Sequence, residues 1–186
     1  MELTKKTAVF SLLGVLGFIL FQARSLFALT ATPPEEQKPA PALSTKEIYQ
    51  LAIKTINETP KFKGIDPIML TTIAIIESSG QPEAIRQEPR IKDASIGLMQ
   101  VLQKTANWLY SDMFYRKYLP DNLKNPKTSM YFATAFVDFL RKYRNTGRNE
   151  EFIVRSYNGG AGTFTTATKN YYNKYLNQKQ LTINEV

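Results

Sequence analysis

The sequence contains no cysteine and no histidine. The first absence removes disulfides, a thiolate nucleophile and lipid attachment through a cysteine. The second removes a Ser-His-Asp triad, a Cys-His pair and any histidine-ligated zinc site. Acid/base chemistry near neutral pH must then rest on a carboxylate, a lysine or a tyrosine with a shifted pKa. Sustained period-two alternation is missing too, so any sheet amounts to a small hairpin. What remains is an ordinary globular composition, 43% hydrophobic and 22% charged, in 186 residues. That is enough for one domain with a real core. The net charge is +8. It suits an anionic partner, whether nucleic acid, a membrane surface or a cell-wall polymer, and equally suits a merely solvated surface. Removing residues 1–28 takes away Lys5, Lys6 and Arg24 against Glu2, so +6 stays with the rest of the chain.

Those first 28 residues read as an export signal. Lys5 and Lys6 form a basic start, and a 14-residue apolar run from Ala8 to Phe21 follows. A membrane span usually needs ~20 residues, so the run fits a signal core with cleavage after Ala28. An uncleaved anchor is the alternative. Residues 29–43, with Pro33, Pro34, Pro39 and Pro41, read as an extended linker. The folded domain is expected over 44–180 and is all-α, α+β at most. Ser44 to Glu47 forms a capping box, and Asp66-Pro67 an N-cap with proline in the first helical position. The run Ile68 to Ile76 is apolar nearly all round and predicts the buried centre of the fold. Further helices are expected near 104–114, from Asn125-Pro126 onward, from Asn149 to Tyr157, and near 165–176.

Three segments carry candidate chemistry. Glu77 lies in the last turn of that apolar helix, after Ile73, Ala74, Ile75 and Ile76. Desolvation and the negative end of the helix dipole both favour its protonated form, as a general acid requires. A helix-end glutamate turned to solvent is the plain alternative. In Gly97-Leu98-Met99-Gln100, the glycine permits close approach and Gln100 offers a donor and an acceptor. A loop with two core residues explains the same letters. Tyr157-Asn158-Gly159-Gly160 can place a hydroxyl and an amide in a groove, or simply end a helix. Tyr171, Tyr172 and Tyr175 can stack on sugar faces or pack a helix.

Taken together, Glu77 to Pro82, Ser95 to Gln100 with Thr105-Ala106, and Ser156 to Gly160 resemble the soluble lytic transglycosylase catalytic domain, a lysozyme-like fold related to goose-type lysozyme. The resemblance covers roughly Ser44 to Leu176, including the segment Asn170 to Tyr175. It implies a helical domain with a small hairpin or loop region beside an active-site cleft. It also implies that Glu77 is the single catalytic acid/base. Ser78 would support its turn and belong to the substrate-binding set, Gln100 and Asn158 would contact substrate, and Tyr157 would hydrogen-bond near the glutamate. The chain departs from the pattern in three places. Twenty positions separate Glu77 from Gly97, Val101-Leu102-Gln103 stands where a methionine and proline are common, and the usual asparagine near Ser129 is absent.

The expected substrate is peptidoglycan glycan strands, acted on outside the cytoplasm by a monomer with no cofactor, metal or nucleic-acid partner. Membrane attachment would run through the N-terminal segment. Glu77 would protonate the oxygen between N-acetylmuramic acid and N-acetylglucosamine, then accept a proton from the muramoyl 6-hydroxyl as a 1,6-anhydro product forms. Asp93, four residues before Gly97, is the candidate second acid that would position water and divert the outcome to hydrolysis of peptidoglycan or a chitin-like glycan. A glycan-binding protein without activity is the alternative of another class.

Overall fold

The capping signals read from the sequence start the first two helices of the computed structural model, which describes residues 40–186. The apolar N-terminal run and most of the Pro-rich stretch, with the readings attached to them, lie outside the described residues. Glu47 Oε2 accepts from the Ser44 amide at 2.8 Å and Ser44 Oγ accepts from the Glu47 amide, opening α1 (Thr45–Asn57). Asp66 Oδ1 accepts from the Ile68 amide at 2.8 Å and Pro67 occupies the first position of α2 (Pro67–Ser78). Three short strands follow: β1 (Ile85–Glu88), β2 (Asp93–Ile96) and β3 (Val101–Leu102). Then come α3 (Gln103–Ser111), α4 (Pro126–Arg141), α5 (Glu150–Gly159) and α6 (Thr166–Glu185). Asn125, Asn149 and Thr165 cap the last three through their side-chain oxygens.

The fold is helical with one small sheet, and it corrects three details of the sequence reading. The sheet has three antiparallel strands in the order β1-β2-β3, not two. No alternation announced it because β1 exposes Ile85, Arg86 and Gln87 on both faces and β3 has only two residues. The most deeply enclosed helix is α4 rather than α2: eleven of its sixteen residues are buried, against six of twelve. Its hydroxyls disguise this in the sequence. Thr134 Oγ1 donates back to the Met130 carbonyl at 2.7 Å, and Ser129 Oγ accepts from the Met99 amide at 3.0 Å. Satisfied in this way, polar side chains can sit in a core. The last helix continues to Glu185, nine residues beyond Leu176, with no glycine or proline to stop it.

The folded body also begins slightly before Ser44. The Leu43 amide donates to the Gly80 carbonyl at 2.9 Å. Gly80 has φ +82°, and a methyl there would strike the Leu43 carbonyl. Helices α1 and α6 both pack on α2, and α5 packs between α4 and α6. Asp138, fully buried on α4, accepts from Tyr115 Oη at 2.6 Å and Arg141 Nε at 2.7 Å. Arg141 in turn donates to the Lys61 and Lys63 carbonyls, which ties the connection before α2 to α4. Among the described residues, no helix is long and apolar enough to cross a membrane.

Candidate active site

Glu77 occupies the last turn of α2, just before the chain turns left-handed at Ser79 (φ +53°) and Gly80. Its carboxyl is half-buried, and Oε1 accepts a hydrogen bond from Tyr171 Oη of α6 at 2.7 Å. Burial raises its pKa above the ordinary glutamate value. The Tyr171 hydrogen bond and the charges of Arg86 and Lys174 pull the other way without cancelling it. Burial and the nearby glutamate also push the Tyr171 hydroxyl well up. Tyr171 therefore stays a donor across the neutral range.

The segment Gly97–Gln100 is held against this helix end from several sides. Ser78 Oγ donates to the Leu98 carbonyl at 2.7 Å, and Tyr157 Oη donates to the Met99 carbonyl at 2.8 Å. Together with Ser129 on the Met99 amide, these bonds fix the backbone through side chains from three helices. Leu98 and Met99 point into the core, both fully buried. Gly97 has φ +80°, and a methyl there would run into the Leu123 carbonyl. Gln100 sits in the left-handed region at φ +46°, and its Nε2 donates to the Ala84 and Gly97 carbonyls at 3.1 and 3.0 Å. Those bonds offset the backbone strain of a non-glycine residue there, about 1–2 kcal/mol.

Glu77, Gln100, Tyr157 and Asn158 all line one cavity of ≈ 330 Å³. The sheet also lines it, through Arg86, Glu88 and Ser95. Phe136 adds apolar surface, its ring 5.7 Å from that of Tyr157. A carboxyl whose protonated form burial favours thus meets apolar surface and hydrogen-bonding groups in one cavity, an arrangement suited to general-acid chemistry.

The model of the transglycosylase SLT domain matches residues 54–180. The chain belongs to the transglycosylase SLT domain family. The membrane-bound lytic murein transglycosylase C of Edwardsiella ictaluri is 33% identical over 110 residues, 54% of this chain and 28% of that protein. The endo-type membrane-bound lytic murein transglycosylase A of Salmonella paratyphi B is 31% identical over 106 residues, 53% of this chain and 50% of that protein. The chain thus spans half or less of the length of these curated relatives. A distant structural likeness is to the 70 kDa soluble lytic transglycosylase of Escherichia coli. There the TM-score is 0.48 at 21% identity, over 69% of this chain and 19% of that one.

In this SLT domain the residues singled out from sequence divide into two groups. Glu77, Gln100, Tyr157 and Asn158 meet at the cavity. Ser78 and Asp93 do not line it. The Ser78 O–H is directed at the Leu98 and Ala74 carbonyls, which ties the end of α2 to the Gly97–Gln100 segment. Asp93 accepts from its neighbour's amide, Ala94, at 2.8 Å and from the Lys104 amide at 3.2 Å. Through the Lys104 amide it satisfies a donor in the first turn of α3. Tyr157 reaches the Met99 carbonyl, and the tyrosine on Glu77 is Tyr171. No local pattern could reveal that pairing, because 94 residues separate the two. Arg86 and Glu88 were also missed. Their signal was available: two positions apart in an insert, they share one face as soon as the insert is read as a strand.

Proposed function

We propose that this SLT domain is an exported peptidoglycan lytic transglycosylase, with Glu77 as acid first and base second. The observation that carries the reading is the half-buried Glu77 carboxyl, favoured in its protonated form by burial and opening into the cavity that Gln100, Tyr157 and Asn158 also line. Glu77 would give its proton to the oxygen between N-acetylmuramic acid and N-acetylglucosamine as the β-1,4 bond breaks. The ionised carboxylate would then take the proton of the muramoyl 6-hydroxyl as that oxygen bonds to the anomeric carbon. Attack from within the same sugar benefits from high effective concentration. The Tyr171 hydrogen bond supports the second half of the cycle, since it favours the ionised form. The relatives' names, lytic murein transglycosylases described as membrane-bound, support both the substrate and a place outside the cytoplasm. The basic N-terminal start with its apolar run supports export, by cleavage or as an anchor. The +6 charge of residues 29–186 suits an anionic cell-wall polymer.

The test is digestion of purified peptidoglycan by the wild-type chain and by Glu77→Gln. The amide keeps the shape and loses the proton, so turnover is expected to fall about 10²–10⁴-fold. Mass spectrometry of the fragments is expected to find 1,6-anhydro ends, one water lighter than hydrolysed ends. Wild-type turnover by Glu77→Gln sinks the assignment. No turnover by the wild type, with tight sedimentation on the polymer, favours a binding module.

A further inference from the structure

Besides Glu77, one other carboxyl lines the cavity among the described residues, and it is differently held. Glu88 ends β1. Arg86 Nε donates to its Oε1 at 2.7 Å, and Ser95 Oγ donates to the same oxygen at 3.1 Å. Arg86 and Glu88 share a strand face, and Ser95 is the cross-strand partner of Arg86, so the three side chains form one cluster on the cavity side of the sheet. Both donors use Oε1, and Oε2 takes no hydrogen bond from any described residue. The Arg86 and Ser95 hydrogen bonds hold this carboxyl below the ordinary glutamate value, whereas burial raises Glu77. The surroundings of the two carboxyls thus push in opposite directions, burial favouring the protonated form of Glu77 and hydrogen bonds the ionised form of Glu88.

We propose that Glu88 is a second functional carboxylate of the cleft, whose Oε2 accepts a hydrogen bond from the hydroxyl that attacks the anomeric carbon and orients it there. The proposal rests on the glycan-cleaving reading above. The covalent step is unchanged. Glu77 gives its proton to the leaving oxygen as the glycosidic bond breaks. The attacking oxygen bonds to the anomeric carbon, and its proton passes to the Glu77 carboxylate. Glu88 remains ionised throughout. The hydroxyl has two sources with the same chemistry, the muramoyl 6-position and water.

Glu88→Gln in the full chain, assayed on purified peptidoglycan, tests this. We expect kcat to fall about 10- to 100-fold, the loss typical of a misplaced reactant, with polymer sedimentation and thermal midpoint unchanged. Glu88→Asp should recover part of the loss. A fall in the ratio of anhydro to hydrated ends in the residual product identifies the oriented group as the sugar hydroxyl; a rise in that ratio identifies it as water. Wild-type kcat and product ratio in Glu88→Gln overturn the proposal, as does a loss that lies wholly in polymer binding. If Glu88→Gln does not fold, Ser95→Ala decides: it removes one of the two donors, and a severalfold fall in kcat with KM unchanged is expected, whereas wild-type kcat refutes the role. A wild-type chain that releases no fragments refutes the underlying glycan-cleaving reading first, and the two failures are thereby distinguished.

Discussion

Replacing Tyr171 by phenylalanine keeps the ring and deletes the O–H that donates to Glu77 at 2.7 Å. The deletion acts mainly on the ionised form of Glu77, because a hydrogen bond to a charged group contributes about 1.5–3 kcal/mol and one to a neutral group about 0.5–1.5 kcal/mol. The difference favours the protonated carboxyl, so the Glu77 pKa, already raised by burial, rises further. In the proposed cycle Glu77 starts protonated, so activity is expected to fall as pH passes its pKa from below. The alkaline limb of the kcat/KM profile in Tyr171→Phe is therefore expected to move up by about one on the pH scale, at ~1.4 kcal/mol each. At the same time kcat should drop, because the carboxylate that the proposed cycle uses as its base has lost its partner. Stability carries the same sign. A group whose folded pKa is raised contributes stability below its unfolded pKa, and that contribution is lost as pH rises through the folded pKa. Tyr171→Phe should thus cost about 1 kcal/mol at acidic pH and about 2–3 kcal/mol at alkaline pH. For a domain of this size that is a drop in Tm of roughly 2–4 °C at the acid end and roughly 4–12 °C at the alkaline end. Differential scanning calorimetry at both pH values and a pH–rate profile check it. An alkaline limb that stays in place or moves down refutes the role of Tyr171 in setting the state of Glu77.

Two further substitutions probe what holds the site in place. Gly97→Ala puts a methyl against the Leu123 carbonyl at a positive φ, so it should cost about 2–5 kcal/mol and displace the Gln100 side of the cavity; a urea midpoint within error of wild type sinks the steric argument. Asp138→Ala strands the Tyr115 hydroxyl and the Arg141 guanidinium against the core, for a cost of about 3–5 kcal/mol. Chemical denaturation measures it, and a loss under 1 kcal/mol means that water takes the place of the carboxylate.

The parts of the fold that the sequence announces are those decided locally. Ser44 and Glu47 close a capping box within four residues, and Asp66-Pro67 starts α2 within three. Glu77 belongs to the same class, because four apolar residues before it already imply desolvation. What the sequence hides is decided at a distance. The Ser129 hydroxyl looks like a surface letter until the Met99 amide, from another part of the chain, supplies its partner. Asp93 looks free until the Lys104 amide is brought to it by the turn through β3 into α3. The strand β1 is invisible because its exposed faces impose no alternation, and with it goes the pairing of Arg86 and Glu88.

The order of the site follows from where the strain and the ties lie. Glu77 is at a helix end, a place where a side chain gains reach but loses restraint. Ser78 answers this by bonding the same helix end to the Leu98 carbonyl, and Tyr171 by bonding the carboxyl itself. Tyr157 does for the facing segment what Ser78 does for the helix, through the Met99 carbonyl next along the chain. Two adjacent carbonyls, of Leu98 and Met99, thus take hydroxyl donors from α2 and α5, while their side chains anchor in the core. This explains why Gln100 can hold a left-handed backbone at the cavity rim: the residues before it have no freedom to relax. It also separates two kinds of residue that a motif lists side by side. Ser78 and Tyr157 position the framework, whereas Glu77 and the Arg86–Glu88–Ser95 cluster line the cavity and are the groups proposed to exchange or orient a proton.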